Sequence, residues 1–375
     1  MPWPTPQLSR NQVNRAGAIL VSDSAPAEEI VRAHFVLGHW RACHGYPINT
    51  FQATLRTKLK RVDGDAIVAQ RLKRTPSIIS KLKRFDSMQL ARMQDIGGLR
   101  AVVSSVARVR RLERDYENSH FEHELVSRKD YITKPKPDGY RSVHLVFRYK
   151  NKRAPAYNGL LLELQVRTKL QHAWATAVET MGTFLGQALK AREGEQRWLR
   201  FFEVVGSAFA HLEKSPLVPG YVDLDQRRTF SEVANAESQL RVLDKLGGFS
   251  VAVGAITTEK RPGSYHLVIL DSQNKKVQIR PYAKAALEEA TAAYTEAENR
   301  VKRGEPLEVV LVSAGPIESL RRAYPNYFLD TDDFIRKVRQ VIREVERPEA
   351  NTALLPMGAP RQSRSPRRSR GRTHK

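Results

Sequence analysis

Cys43 is the only cysteine in 375 residues. That excludes an intramolecular disulfide and a thiolate metal cluster, and it predicts a reducing compartment. No stretch approaches the roughly 20 consecutive apolar residues that a membrane-spanning helix needs. The first ten residues are proline-rich and polar, without the apolar core of a secretory signal. A cytoplasmic protein with no membrane partner is therefore expected. Acid is also short: 40 Asp and Glu face 63 Lys and Arg, a formal charge of +23. Such an excess predicts an electrostatic partner, with polyphosphates, nucleic acid or an anionic membrane surface as candidates. The last fifteen residues, Arg361 to Lys375, hold six Arg, one Lys and no acid, and the rest of the chain still carries +16.

What is present is ordinary for a globular protein, with 41% hydrophobic and 27% charged residues. The length allows two domains, each with its own core. The predicted division is an N-terminal segment 1–24, a first domain 25–212, a linker 213–229 around Ser215-Pro216 and Pro219-Gly220, and a smaller α+β domain 230–345. A basic tail, 346–375, is too poor in apolar residues to build a core and is expected to be disordered.

Ala25 to Lys60 predicts a helix broken near Gly45-Tyr46-Pro47. A basic loop follows, Arg71 to Arg84, with six cations and no acid among its fourteen residues. Leu99–Val103, Phe121–Val126, Ser142–Tyr149 and Leu160–Arg167 predict strands, a charged helix covers Ser105–Glu117, and Lys169–Leu189 and Glu195–His211 predict helices. The expected first fold is a mixed α/β sheet, mostly antiparallel, flanked by helices. Beyond it, Phe249–Ile256, Tyr265–Leu270 and Val277–Tyr282 predict a meander after the Gly247-Gly248 turn. Ala283–Arg303, Ile317–Tyr324 and Thr331–Val345 predict helices, and Leu307–Val312 a strand.

Two isolated acids stand out. Asp95 and Glu163 both fall near the edges of predicted strands, in apolar or basic surroundings. Carboxylates converging from separate strands suit Mg²⁺, which takes one or two of them plus substrate phosphates. Spacing alone leaves open a salt bridge to Arg100 or Arg167. Within the basic segment, Ile78, Ile79 and Leu82 anchor the cations, and fixed cations opposite two acids suit a triphosphate–metal complex. A solvated basic face is the other meaning of such a run. Arg71 and Arg100 can stack on a purine. Lys134 to Tyr140 reads as a turn, with Gly139 free to take positive φ. Tyr140, flanked by Lys136 and Arg141, then becomes a platform for a nucleobase, with His144 on the same side.

These pieces resemble the RelA/SpoT alarmone synthetase domain over residues 30–190. The resemblance runs through Arg71-x-Lys73, Ser77-Ile78 and Lys81, then Arg92-Met93-Gln94-Asp95-Ile96-Gly97-Gly98-Leu99-Arg100 and Asp130-Tyr131-Ile132. It continues through Lys136-Pro137-Asp138-Gly139-Tyr140-Arg141-Ser142-Val143-His144, Glu163-Leu164-Gln165-Val166-Arg167-Thr168 and His172-Ala173-Trp174-Ala175. Gly97 departs from the usual alanine. The resemblance implies a nucleotidyltransferase-like sheet that moves the β,γ-diphosphate of ATP to a ribose 3′-hydroxyl. It implies Arg71 and Arg100 around the adenine, and Lys73 and Lys81 on the ATP phosphates. Asp95 and Glu163 would hold Mg²⁺, with Glu163 also taking the hydroxyl proton. Tyr140 would stack on the acceptor base, with His144 near its phosphates. The family's hydrolase half needs a His-Asp pair, and no His-Asp dipeptide occurs here, so a synthetase alone is expected.

Beyond the synthetase, the chain looks like the fused toxin–antitoxin branch called CapRel, whose C-terminal element carries a Tyr-x-x-Tyr motif. Tyr324-Pro325-Asn326-Tyr327 matches it, which implies self-inhibition relieved by a protein trigger. The same spacing also fits two tyrosines packed in a core. The implied acceptor is GTP or GDP, giving an alarmone, or the 3′ end of tRNA, giving a block to translation. The rival class is a catalytically silent RNA- or ribosome-binding protein on this fold.

Overall fold

The computed structural model describes residues 3–73, 75–118, 122–187, 189, 192–258, 264–271, 274, 276–305, 307–313 and 327–346. Three helices come first: α1 (Arg10–Ile19), α2 (Ala27–Cys43) and α3 (Gly45–Val62). α1 falls in the segment 1–24, for which the sequence predicted no element. A reciprocal capping box starts it, with Ser9 and Gln12 satisfying each other's backbone N–H groups. The predicted break in the long helix lies at His44, between α2 and α3.

Five strands form the first sheet: β1 (Ile67–Leu72), β2 (Gly97–Val103), β3 (Glu124–Asp130), β4 (Val143–Arg148) and β5 (Leu161–Thr168), in the order β1-β2-β5-β4-β3. β2 and β5 run parallel, and the other three pairings are antiparallel. The fold is thus the expected mixed α/β sheet. Alternation along the strands sorts the side chains. Leu99, Ala101 and Val103, Val143, Leu145 and Phe147, and Leu162, Leu164 and Val166 are buried on one face. There they share a core with α3 and with α5 (Val106–Asn118).

The register sets out the other face in rows. Arg71 pairs with Gly98, Gly98 with Glu163, and Glu163 with Val146. One step along, Arg100 pairs with Gln165, Gln165 with His144, and His144 with Lys129. Parallel pairing also brings the start of β2, just after Asp95, beside the start of β5 that carries Glu163. Gly97 belongs to the apolar face. A Cβ there would meet Leu162 Cδ2 at 2.7 Å and Ile48 at 3.2 Å, so those two side chains fill the methyl's place.

The predicted basic loop is instead the end of β1 followed by α4 (Thr75–Arg84). Pro76 sits in the first helical turn, where its missing N–H costs nothing. Ile78 and Leu82, four residues apart, are the buried positions of α4, which leaves Lys81 on the face toward the sheet's polar side.

The remaining elements are α6 (Lys169–Leu185), α7 (Gln196–Glu213), α8 (Gln226–Leu240), α9 (Val242–Thr258), β6 (Tyr265–Asp271), β7 (Lys276–Tyr282), α10 (Leu287–Lys302), β8 (Leu307–Ser313) and α11 (Tyr327–Glu346). The strand predicted over Phe249–Ile256 is part of α9. Leu246, Phe249 and Ala252 are buried at three-residue spacing, a helical period that overrides the turn signal of Gly247-Gly248. The antiparallel sheet in this region has the order β7-β6-β8, and α10 covers it through a small core with Leu267, Ile269 and Leu307. Phe184 of α6 stacks on Phe249 of α9 with centroids 4.1 Å apart. One core joins α6 to α9 and α11, across a 213–229 segment that holds a 3-10 turn over Pro219–Tyr221 and the first turn of α8. The helix predicted over Ile317–Tyr324 and the tail from 347 lie outside the described residues.

Candidate active site

The polar face of the first sheet opens into a cleft of about 730 Å³ between α4, the turn before β4, α6 and α7. Arg71, Lys73, Lys81, Asp95, Arg100, Lys136, Tyr140, His144 and Glu163 all line it. Nine candidates spread over some ninety residues therefore meet in one hollow. A smaller hollow of about 230 Å³ over Gly98 shares Arg71, Asp95, Arg100 and Glu163 with it. Among the lining residues eight Lys and Arg oppose three acids, the charge balance of a polyphosphate site.

Asp95 is held from both sides. Lys73 Nζ donates to Oδ2 at 2.7 Å and Lys81 Nζ to Oδ1 at 2.9 Å. Burial would raise its pKa, but the two ammonium groups outweigh burial and keep the carboxyl below its ordinary value. Lys73 itself is lowered by burial, with Asp95 opposing the shift.

Glu163 is gripped as well. His144 Nδ1 lies 2.9 Å from Oε1, and Gln165 Nε2 donates to Oε2 at 2.8 Å. Burial raises Glu163 and Asp95 adds to that, yet the bonds from His144 and Gln165 leave its pKa below the usual carboxylate value. Burial opposes charge on His144, but Tyr140 and Glu163 on its two sides lift its pKa to about 9. The Tyr140 hydroxyl is 2.9 Å from His144 Nε2, so tyrosine, imidazole and carboxylate form one chain.

Tyr140 owes its position to the turn. Gly139 has φ of +90°, and a Cβ there would come within 3.1 Å of the Phe202 carbonyl and of Trp174. A side chain is thus strained both by backbone and by space. The Asp138 carboxylate accepts from the Tyr140 N–H at 2.9 Å, an Asx-type bond that fixes the turn. Lys136 Nζ sits 4.7 Å from the ring centre of Tyr131 and 5.1 Å from that of Tyr140.

Arg141 is the exception among the predicted site residues. It is 3% exposed and donates to the Pro216 carbonyl at 2.7 Å, away from the cleft. Ser142 continues the β3–β4 pairing through a 2.9 Å bond from the Tyr131 N–H to its carbonyl. Side chains alternate along such a strand, so Tyr140 and Arg141 face opposite ways. Tyr324 and the side chain of Tyr327 lie outside the described residues.

The cleft also holds residues that the sequence did not single out as site residues: Gln165, Tyr131, Lys129, Arg92, Arg167 and Trp174. For Gln165 and Arg167 the signal was there, since they follow Glu163 at two-residue steps on the same strand face. Arg167 donates to His172 Nδ1. Burial, with Arg167 and Arg100 alongside, keeps His172 neutral and able to accept that bond.

Residues 70–182 match the family described as the region found in RelA/SpoT proteins. That segment is a RelA/SpoT region. GTP pyrophosphokinase YjbM of Bacillus subtilis is 32% identical over 111 residues, 29% of this chain and 52% of that protein. GTP pyrophosphokinase YwaC of the same organism is 30% identical over 111 residues, 28% of this chain and 52% of that protein. The chain thus spans about half the length of these curated relatives. An uncharacterized protein of Mycobacterium tuberculosis is 26% identical over 197 residues, 50% of this chain and 64% of that protein. Among solved structures, small alarmone synthetase 1 of B. subtilis bound to its product pppGpp is 24% identical. The match has a TM-score of 0.40 and covers 47% of this chain and 93% of that one.

Within the RelA/SpoT region, the two ionised carboxylates fit a hard divalent cation such as Mg²⁺. Among the described residues no group of three or more His, Cys, Asp and Glu gathers to hold a metal unaided. No described helix is long and apolar enough to cross a membrane.

Proposed function

We propose that this chain transfers the β,γ-diphosphate of ATP to the ribose 3′-hydroxyl of GDP or GTP in a Mg²⁺-dependent reaction. The observation that carries the proposal is the meeting of Asp95 and Glu163 in one cleft, each bonded to cationic side chains. Arg71 and Arg100 line the hollow over Gly98 and would sandwich the adenine there, and Lys73 and Lys81 line the cleft beside it and would hold the triphosphate. Tyr140 stacks on the acceptor base, with Lys136 and His144 toward its phosphates. Bound Mg²⁺ would neutralise charge on the transferring phosphates, held by Asp95 and Glu163.

The acceptor's 3′-oxygen forms a bond to the β-phosphorus of ATP. The bond from that phosphorus to the α,β-bridging oxygen breaks, and AMP leaves with the electron pair. Glu163, ionised at neutral pH, takes the hydroxyl proton and passes it to water. Such a transfer depends mainly on positioning and charge neutralisation, which the eight lining cations supply.

The +16 that remains without the last fifteen residues favours a second reading for the acceptor, the 3′ end of tRNA, because each phosphate contact on a polyanion adds affinity. In either case the C-terminal unit, with Tyr324 and Tyr327, would restrain the site until a protein partner releases it. The test is to incubate the full chain with γ-labelled ATP and GDP, GTP or bulk tRNA separately. Label is expected in a guanosine nucleotide. Label in tRNA alone selects the second reading, and label in none supports a silent RNA- or ribosome-binding protein.

A further inference from the structure

All four oxygens of the carboxylate pair have a donor against them. Lys73 and Lys81 take the two oxygens of Asp95. His144 and Gln165 take the two of Glu163. A Mg²⁺ ion needs direct oxygen contacts at about 2.0–2.1 Å and gives up its own water reluctantly. At Asp95 it would also meet two ammonium groups, one already seated on each carboxylate oxygen.

We propose that Lys73 and Lys81 are internal counter-ions that close Asp95 to a divalent cation until substrate phosphates draw them off. This rests on the assignment of Asp95 and Glu163 as the metal-holding pair.

Three observations support it. First, the pair is shielded from water: the side chains of Lys73, Lys81 and Asp95 are 14%, 28% and 17% exposed. Salt and solvent therefore screen it weakly, and a cation does not displace the lysines for free. Second, the lysines are tethered. The Lys73 N–H donates to the Ile96 carbonyl at 2.8 Å, and its own carbonyl accepts from Arg41 Nε at 2.7 Å. Lys81 lies on α4 beside the buried Leu82 and three residues from the buried Ile78. Only the flexible four-carbon stems can move, so the ammonium groups stay in the cleft when they leave Asp95. Third, both lysines line the same hollow as Arg71 and Arg100. A triphosphate there offers several negative oxygens where Asp95 offers one charge, so the lysines shift from carboxylate to phosphate. The metal position then opens only when nucleotide is present. Lys73 and Lys81 act on the metal through Asp95 and are in that respect positioning residues.

The test is Mn²⁺ binding to the full chain without nucleotide, followed by electron paramagnetic resonance. The Lys73→Gln/Lys81→Gln double variant should bind Mn²⁺ at least about tenfold more tightly than the native chain, since opposite charges within about 4–6 Å shift carboxylate affinities by such factors. Adding Asp95→Asn to the double variant should cancel the gain. Lys81→Gln alone, at the more exposed lysine, should show part of the gain if the double variant folds poorly. Native chain that binds Mn²⁺ as tightly as the variants overturns the counter-ion role, as do variants that gain nothing. Mg²⁺ dependence of diphosphate transfer by the native chain separates the two ideas. If it persists in either of those cases, only the counter-ion role has failed. Transfer that needs no divalent cation removes the metal-holding pair itself.

Discussion

Phe334 of α11 lies against Phe202 of α7, with ring centroids 6.1 Å apart. The Phe202 carbonyl accepts the Trp174 indole N–H at 2.9 Å, and Trp174 stands edge-on to Tyr140 at 6.5 Å. α11 therefore backs the wall of the cleft. Phe334→Ala should cost about 3–5 kcal/mol of stability, the range for emptying a buried phenylalanine site, read by urea denaturation. Deleting 230–375 should leave α6 and α7 uncovered and the product aggregated on size-exclusion chromatography. A regulatory role for the C-terminal unit thus needs point substitutions such as Tyr327→Ala, with growth of expressing cells as the readout. Growth as healthy as with the native chain argues against self-inhibition.

Asp95→Asn and Glu163→Gln should each lower diphosphate transfer by about a hundredfold or more, the scale on which groups that stabilise transition-state charge act. Thermal unfolding near that of the native chain would show that the loss lies in chemistry. A chelator should abolish transfer in the native chain, and added Mg²⁺ should restore it. Either acid variant retaining full transfer removes that carboxylate from the site.

Tyr140→Ala should raise the KM for the acceptor by roughly tenfold or more, since stacking of a base on an aromatic ring contributes about 1–3 kcal/mol. Tyr140→Phe keeps the ring and loses only the hydroxyl bond to His144, so its acceptor KM should stay near native. Equal effects of the two substitutions would contradict a stacking role.

The site was more legible in the sequence than the C-terminal half of the fold. Alternation along Ser142–Tyr149 and Leu160–Arg167 places His144, Glu163 and Gln165 on one face, because strand side chains repeat every two residues. The same rule turns Arg141 away, but only once the turn's exact end is known. The basic segment read as a loop because its charge hides the Ile78–Leu82 spacing of a helix face. Before Phe249–Ile256 the Gly247-Gly248 pair signals a turn locally, while packing on Phe184 holds the segment in a helix. That Lys73 and Lys81 share one carboxylate depends on tertiary placement, which sequence spacing does not carry.

Glu237 gives a pH prediction. Its carboxylate accepts from the Val242 and Leu243 N–H groups at 3.0 and 3.1 Å, at the start of α9. Burial raises its pKa from 4.5 to about 7, against the opposing effect of those bonds. Between these two values the folded chain holds a proton that the unfolded chain has lost, so stability from this group falls as pH rises through the window. Glu237→Gln should therefore gain stability relative to the native chain on going from pH 5 to pH 8 in denaturant melts. An unchanged difference between the two chains across that range would contradict the assignment.

Transfer of a diphosphate unit leaves AMP behind, whereas transfer of a single phosphate leaves ADP. Separation of the products by ion-exchange chromatography should show AMP appearing one-for-one with an acceptor carrying two added phosphates. ADP as the matched product, or AMP with no modified acceptor, would contradict it.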